Sequence, residues 1–144
     1  MPQFVASHEA ALSPATAWER ITDWSRHASY VPFTTIIVPM TGPNGIGTIF
    51  VARTAIGRFG FDDPMEVVEW VVPVAQQPGR CRLVKRGSVM LGWAELVVES
   101  RPRGVRVTWT EDITVRHLPM VADWPVALSS RLLFTRVLRR ILDG

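Results

Sequence analysis

One cysteine, one lysine and three histidines are all that the 144-residue chain offers of the side chains that most often cross-link, bind metals or attack substrates. Cys81 alone cannot close an internal disulfide, which suits a reducing compartment, and it has no neighbouring cysteine with which to hold a metal. Set between Arg80 and Arg82 on an apparent strand, it reads as a buried, inert thiol rather than an activated nucleophile. His8, His27 and His117 are scattered without ligand spacing and read as surface or turn residues. No metal and no cofactor is expected. The sequence also lacks GxGxxG and P-loop patterns, and Gly57-Arg58-Phe59-Gly60 has neither the strand-to-helix setting nor the lysine of a phosphate cradle. No serine sits in a GxSxG elbow, so a hydrolase triad has no support.

Charge is sparse where a membrane span would need it to be, yet the span fails. The longest stretch free of Asp, Glu, Lys and Arg runs from His27 to Ala52, but Pro32, Pro39, Gly42, Pro43, Gly45 and Gly47 interrupt it. It reads as a turn and two strands, and no integral membrane segment is expected. Met1 to Ala11 carries Glu9 and no basic region ahead of an apolar run, unlike a signal peptide, so the expected location is cytoplasmic. The isoelectric point is near 10, but the net charge is only +3 and every basic residue except Lys85 is arginine. No nucleic-acid motif accompanies that bias, and nucleic acid is not an expected partner.

What the chain has in quantity is apolar bulk: 47% hydrophobic residues and six tryptophans in a length suited to one domain. A chain of this size buries roughly two-thirds of its unfolded surface and needs no metal or disulfide to stand. The expected organisation is a single domain, 1–144. Nothing in the pattern distinguishes a monomer from a weak homodimer.

Phe4 to His8 alternates as a short strand. Ser13 is a good N-cap and Pro14 suits the first helical position, which predicts a helix over Pro14 to Thr22. Asp23 can cap a second over Ser25 to Ser29, stopped by Pro32. Six strands then follow: Thr34 to Met40, Gly47 to Ala55, Met65 to Val72, Arg80 to Arg86, Val89 to Glu99 and Val105 to Val115. Gly42 to Gly45, Gly57 to Pro64, Pro73 to Gly79, Gly87-Ser88 and Arg101 to Gly104 separate them, mostly short enough for antiparallel neighbours. In the last strand Val105, Val107, Trp109, Glu111 and Ile113 share a face, with Arg106, Thr108, Thr110 and Asp112 opposite.

Beyond Pro119 the period becomes helical. Val126, Leu133, Phe134, Val137, Leu138 and Ile141 fall on one side and Arg131, Arg136, Arg139 and Arg140 on the other, and Pro125 must lie in the first turn or kink the helix. An antiparallel sheet with one dry face must bury it, and only this helix is long and apolar enough to serve.

The order of elements resembles the SRPBCC superfamily, which includes polyketide cyclase/dehydrase-like and START lipid-transfer proteins. The residues that carry the resemblance are Ser13-Pro14-Ala15-Thr16-Ala17-Trp18, then Asp23-Trp24-Ser25-Arg26-His27, then Gly47-Thr48-Ile49-Phe50 and the final helix. It implies an α+β helix-grip fold: a curved antiparallel sheet of about seven strands wrapped around a long C-terminal helix, with two short helices after the first strand and a cavity between sheet and helix. These families share shape more than chemistry.

The polar residues expected on inward strand positions are Arg53, Glu69, Lys85, Glu95 and Glu111. Buried charges need partners, so Glu111 calls for a cation, with Lys85 the first choice and Arg53 the second. Such a set fits structural pairing, buried or solvated at the sheet edge, orientation of a ligand, or acid–base catalysis by Glu111 or Glu95 with Lys85 or Arg53 polarising a carbonyl. Trp70, Trp93 and Trp109 with Phe50, Phe59, Met65 and Met90 form either a packed core or a cavity wall. Periodicity leaves open which residue faces inward at Glu69-Trp70 and at Trp93-Ala94. The expected ligand-binding set is Phe50, Arg53, Met65, Glu69, Lys85, Trp93, Trp109, Glu111 and Leu133, and the expected partner is a small apolar molecule, lipid-like or polycyclic. A cyclase or dehydratase on a poly-carbonyl substrate and a protein-interaction module are the alternatives.

Overall fold

The computed structural model describes residues 3–31, 34–37, 44–56, 58–115 and 123–144. Of the features expected above, Pro32, the continuation of a strand to Met40, Gly42, Pro43, Gly57, His117 and Pro119 lie outside the described residues, as do the side chains of Phe59, Val126 and Arg131. In chain order the elements are β1 (Gln3–Ala10), α1 (Pro14–Ile21), α2 (Trp24–Tyr30), β2 (Thr34–Ile37), β3 (Ile49–Ile56), β4 (Phe59–Val71), β5 (Gly79–Lys85), β6 (Met90–Arg101), β7 (Gly104–Val115) and α3 (Asp123–Asp143).

The two short helices start where side chains can satisfy their first free N–H groups. Ser13 Oγ accepts from the Thr16 amide, with Pro14 at the first helical position, and Asp23 Oδ1 accepts from the Arg26 amide. Pro125 falls in the first turn of α3, where its missing N–H breaks no bond.

The strands form one antiparallel sheet ordered β1-β7-β6-β5-β4-β3-β2, a meander from β2 to β7 whose last strand also pairs with β1. The sheet curls into a half-barrel around α3. One bend is written at Gly92 in β6, at φ +127°: a Cβ there would meet the Asp112 carbonyl oxygen at 1.8 Å, so no other residue fits.

The core lies on the concave side. Ala94, Leu96 and Val98 of β6 and Val105, Val107 and Trp109 of β7 turn inward, as do Val137, Leu138, Ile141 and Leu142 of α3. α1 closes one end of the sheet, where Trp18 meets Trp70 edge-on at 5.1 Å. The main packing of α3 is against β1, α1 and α2 rather than across the strands β3 to β5. Among the described residues α3 makes its closest packing away from those strands, and the cavity opens on their inner face.

The segment 59–64 corrects the expected loop from Gly57 to Pro64. Its glycine, aspartates and proline read as turn chemistry, but β4 begins at Phe59 and pairs with β3 as far as Ile49–Glu66. Pro64 carries no N–H, yet its carbonyl accepts from the Arg86 amide, so the strand tolerates it.

Candidate functional site

The inner face of the sheet, α2 and the Phe134 ring of α3 surround a cavity of about 220 Å³. Its walls are largely apolar, with aromatic rings among the aliphatic side chains. Trp24 of α2 stacks on Phe50 of β3 at 4.6 Å, Trp109 of β7 packs against Phe134 at 4.7 Å, and the His27 ring meets Trp109 edge-on at 5.2 Å. Trp24 is held by its own indole N–H, which donates to Asn44 Oδ1, while Asn44 Nδ2 donates to the Thr22 carbonyl. The turn before β3 thereby fixes the start of α2 over the cavity.

One end of this apolar chamber is charged. Lys85 Nζ lies 2.7 Å from Asp63 Oδ2 and 3.1 Å from Glu111 Oε1, and the three side chains are 2%, 8% and 6% exposed respectively. They come from three strands. Asp63 stands two residues before Met65 on β4, which pairs with Lys85 at the end of β5, and the lysine reaches across β6 to Glu111 on β7. The residue of β6 paired with Glu111 is Ala94, whose methyl leaves room for the lysine stem.

Two carboxyl groups facing one ammonium shape the ionisation of all three. Burial raises Asp63 above the usual carboxylate range against the pull of Lys85, and it raises Glu111 in the same way. Burial opposes the charge on Lys85, but the Glu111 and Asp63 carboxylates outweigh it and its pKa is raised. The lysine stays charged, and the carboxyls compete for a proton as a coupled pair. The Trp109 indole leans toward Glu111 and favours its ionised form without reaching hydrogen-bond geometry. His27 is neutral at pH 7: burial lowers its pKa to about 4, and its Nε2 lies against the Ile21 carbonyl, to which it donates. Among the described residues no group of three His, Cys, Asp or Glu side chains is placed to share a metal ion.

No family model and no curated protein matches the sequence. Solved structures match its shape. The protein TTHA0849 from Thermus thermophilus superimposes with a TM-score of 0.70 at 16% identity, over 99% of this chain and 93% of that one. The Zhui aromatase/cyclase from Streptomyces sp. R1128 gives 0.57 at 13%, over 96% and 85%. The Polyketide_cyc-like protein Cgl2372 from Corynebacterium glutamicum gives 0.61 at 13%, over 99% and 91%. The chain has the helix-grip fold.

Within that fold, Phe50, Met65, Lys85, Trp109 and Glu111 line the cavity, and Met90 joins them. The inward placement of the other candidates is corrected. Arg53 is 56% exposed and faces Asp62 on the outer side, because β3 is regular and Phe50 and Arg53, three residues apart, must point to opposite faces. Glu69 shares the parity of Met65, but the register shift between Val67 and Glu69 moves it outward to Arg80, 3.3 Å away. The same bulge turns Trp70 toward Trp18, at the closed end rather than the cavity. Trp93 and Glu95 alternate with buried Ala94 and Leu96 and so face out. The Arg82 guanidinium lies 4.3 Å from the Trp93 ring centroid, and Glu95 pairs with Arg80 and Arg82. Glu95 is therefore no base for the cavity. Leu133 packs against the core, and among the described residues of α3 it is Phe134 that lines the cavity.

Asp63 and His27 are the functional candidates that sequence reasoning missed. Asp63 fell in a stretch rich in turn residues, and the signal that locates it is parity with Met65 two positions on. His27, read as a surface or turn residue, is drawn inside by the aromatic face of α2. Cys81 is fully buried, and burial with nearby Glu69 pushes its thiol up to about 12, in keeping with an inert role.

Proposed function

We propose that the protein binds a small, flat, apolar molecule in the cavity between the curled sheet and its helices, with the Asp63–Lys85–Glu111 cluster orienting the one polar end of that ligand. The observation that carries the reading is an apolar space of about 220 Å³, partly walled by aromatic rings, whose charged side chains are gathered in a single cluster. Protein interiors are close-packed, with few voids larger than a water molecule. An engineered apolar cavity of about 150 Å³ takes up benzene, so this space suits roughly two fused rings better than a long acyl chain. A chamber with apolar walls and a few convergent polar groups is the usual form of a small-molecule site. Similarity of shape to the Zhui aromatase/cyclase and to the Polyketide_cyc-like protein supports a ring-bearing ligand. The protein acts as one domain, and its lone buried thiol suits the cytoplasm.

A second reading, cyclisation or dehydration of a poly-carbonyl compound, is favoured by one observation: a carboxyl raised by burial, Glu111, beside a charged Lys85. In that reading Glu111 moves the proton and Lys85 polarises the carbonyl. Loss of turnover in Glu111→Gln with ligand binding retained separates it from binding alone.

Native mass spectrometry of freshly purified protein, followed by organic extraction, tests the main reading. The expected result is a second mass above the bare chain, released on denaturation as a neutral aromatic or polycyclic compound. Only the bare mass, with no saturable tryptophan response to a panel of apolar ring compounds, overturns it.

A further inference from the structure

The charges on the cavity wall do not balance. Among the described residues that line it, Asp63 on β4 and Glu111 on β7 are acids, and Lys85 on β5 is the one cation. His27 on α2 is neutral at pH 7, its Nε2–H given to the Ile21 carbonyl, and the Thr34 and Thr54 hydroxyls pair with each other at 3.1 Å. The ammonium is already spent. Its N–H groups are directed at Asp63 Oδ2, at Glu111 Oε1 and at Met65 Sδ, 3.9 Å away, and its side chain is 2% exposed. Asp63 meets the lysine with Oδ2, and its Oδ1 is enclosed. Glu111 differs, because neither of its carboxyl oxygens is among the enclosed atoms that lack a partner, and its side chain keeps 6% of its surface. The polar face turned to a guest is therefore a carboxyl, in a cluster with one more acid than it has cations.

Resting on the cavity reading above, we infer that the guest is a ring compound carrying a protonated amine, whose ammonium supplies the missing positive charge beside Glu111. In the empty site the two carboxyls share one ammonium and compete for a proton, because burial penalises the second negative charge. The ligand's ammonium takes the place of that proton, which leaves to solvent, and the carboxyl becomes ionised and paired. Two acids then face two cations, the condition under which buried charge is tolerated. A neutral alcohol donates to Glu111 but leaves the cluster one cation short. A carboxylate brings a third acid to an ammonium already engaged on both sides. In an alkaline organic extract the amine appears as its neutral free base.

The test is a calorimetric titration at pH 7 with four probes of one bicyclic skeleton: indane, 2-indanol, indane-2-carboxylate and 2-aminoindane, which is cationic at that pH. The expected order is 2-aminoindane about tenfold tighter than 2-indanol, and the carboxylate about tenfold weaker than 2-indanol. Glu111→Gln removes the excess acid at nearly constant volume; it brings 2-aminoindane to within about threefold of 2-indanol and leaves indane binding unchanged. If 2-indanol, indane or the carboxylate equals 2-aminoindane in the unaltered protein, or if the amine keeps its full advantage in Glu111→Gln, the inference is wrong and the cavity reading stands. If no probe binds saturably, the cavity reading falls and this inference falls with it. The comparison among probes needs no variant, so a variant that fails to fold leaves the test intact.

Discussion

Replacing Lys85 by methionine keeps most of the side-chain volume and removes the only cation between Asp63 and Glu111. At 2.7 and 3.1 Å, and with an effective dielectric of about 20, each contact carries roughly 5–6 kcal/mol of gross attraction. Desolvation of the ions offsets most of it, and removing one partner of a buried pair leaves a net loss of about 3–5 kcal/mol. Against a total stability of about 5–15 kcal/mol this is a large fraction. Glu111→Gln is the contrasting change, because it leaves Lys85 and Asp63 as a one-to-one pair; its effect at pH 7 is within about 1 kcal/mol of the unaltered protein. The two variants also differ in pH dependence. Carboxyls whose folded pKa is raised favour the folded state when protonated, and that advantage is lost as pH rises from the unfolded value through the folded one. Without Lys85 the carboxyls rise further, so Lys85→Met regains stability relative to the unaltered protein between pH 7 and pH 5. Urea unfolding of the three proteins at both pH values is the assay. Equal midpoints for the two variants at pH 7, or a Lys85→Met deficit unchanged at pH 5, refutes the account of the cluster.

Other expectations follow from single contacts. His27, with its pKa lowered to about 4, favours the folded state while neutral and opposes it as pH falls from about 6.5 toward 4, by about 1.4 kcal/mol per unit at most; urea midpoints across that range show a shallower decline for His27→Phe. Gly92→Ala drives a Cβ into the Asp112 carbonyl and lowers stability by more than about 2 kcal/mol, whereas Gly45→Ala, with open space at its Cβ, changes the melting temperature little. Trp93→Ala leaves the fluorescence response to 2-naphthol intact because that ring lies outside under Arg82, and an equal loss in Trp93→Ala and Trp109→Phe contradicts the assignment of faces. Cys81 reacts with a thiol reagent only at the rate of unfolding, and rapid modification of the folded protein contradicts its burial.

The fold was legible because its signals are local: Ser13-Pro14 and Asp23 mark helix starts, alternation marks β7, and a helical stripe marks α3. The pairing of Glu111 with Lys85 was also legible, since an acid on the parity of Val107 and Trp109 needs a cation wherever that face is dry. The facing of β4 and β6 was not. A bulge near Val68 reverses parity without any mark in the sequence, and Trp93-Ala94 is apolar on both sides because Arg82 covers the outer ring. Asp63 stayed hidden for a related reason: Asp-Asp-Pro is turn chemistry in isolation, and only pairing with β3 makes it a strand.

The central claim is that the aromatic space holds a ring compound with its polar group at the charged end, and a crystal of the protein soaked with 6-bromo-2-naphthol measures this directly. The account predicts one anomalous bromine peak between the Phe50, Trp109 and Phe134 rings, with the hydroxyl turned toward the Asp63–Lys85–Glu111 cluster. Bromine bound only on the outer surface, or the hydroxyl turned away from that cluster toward the opposite end of the space, contradicts it.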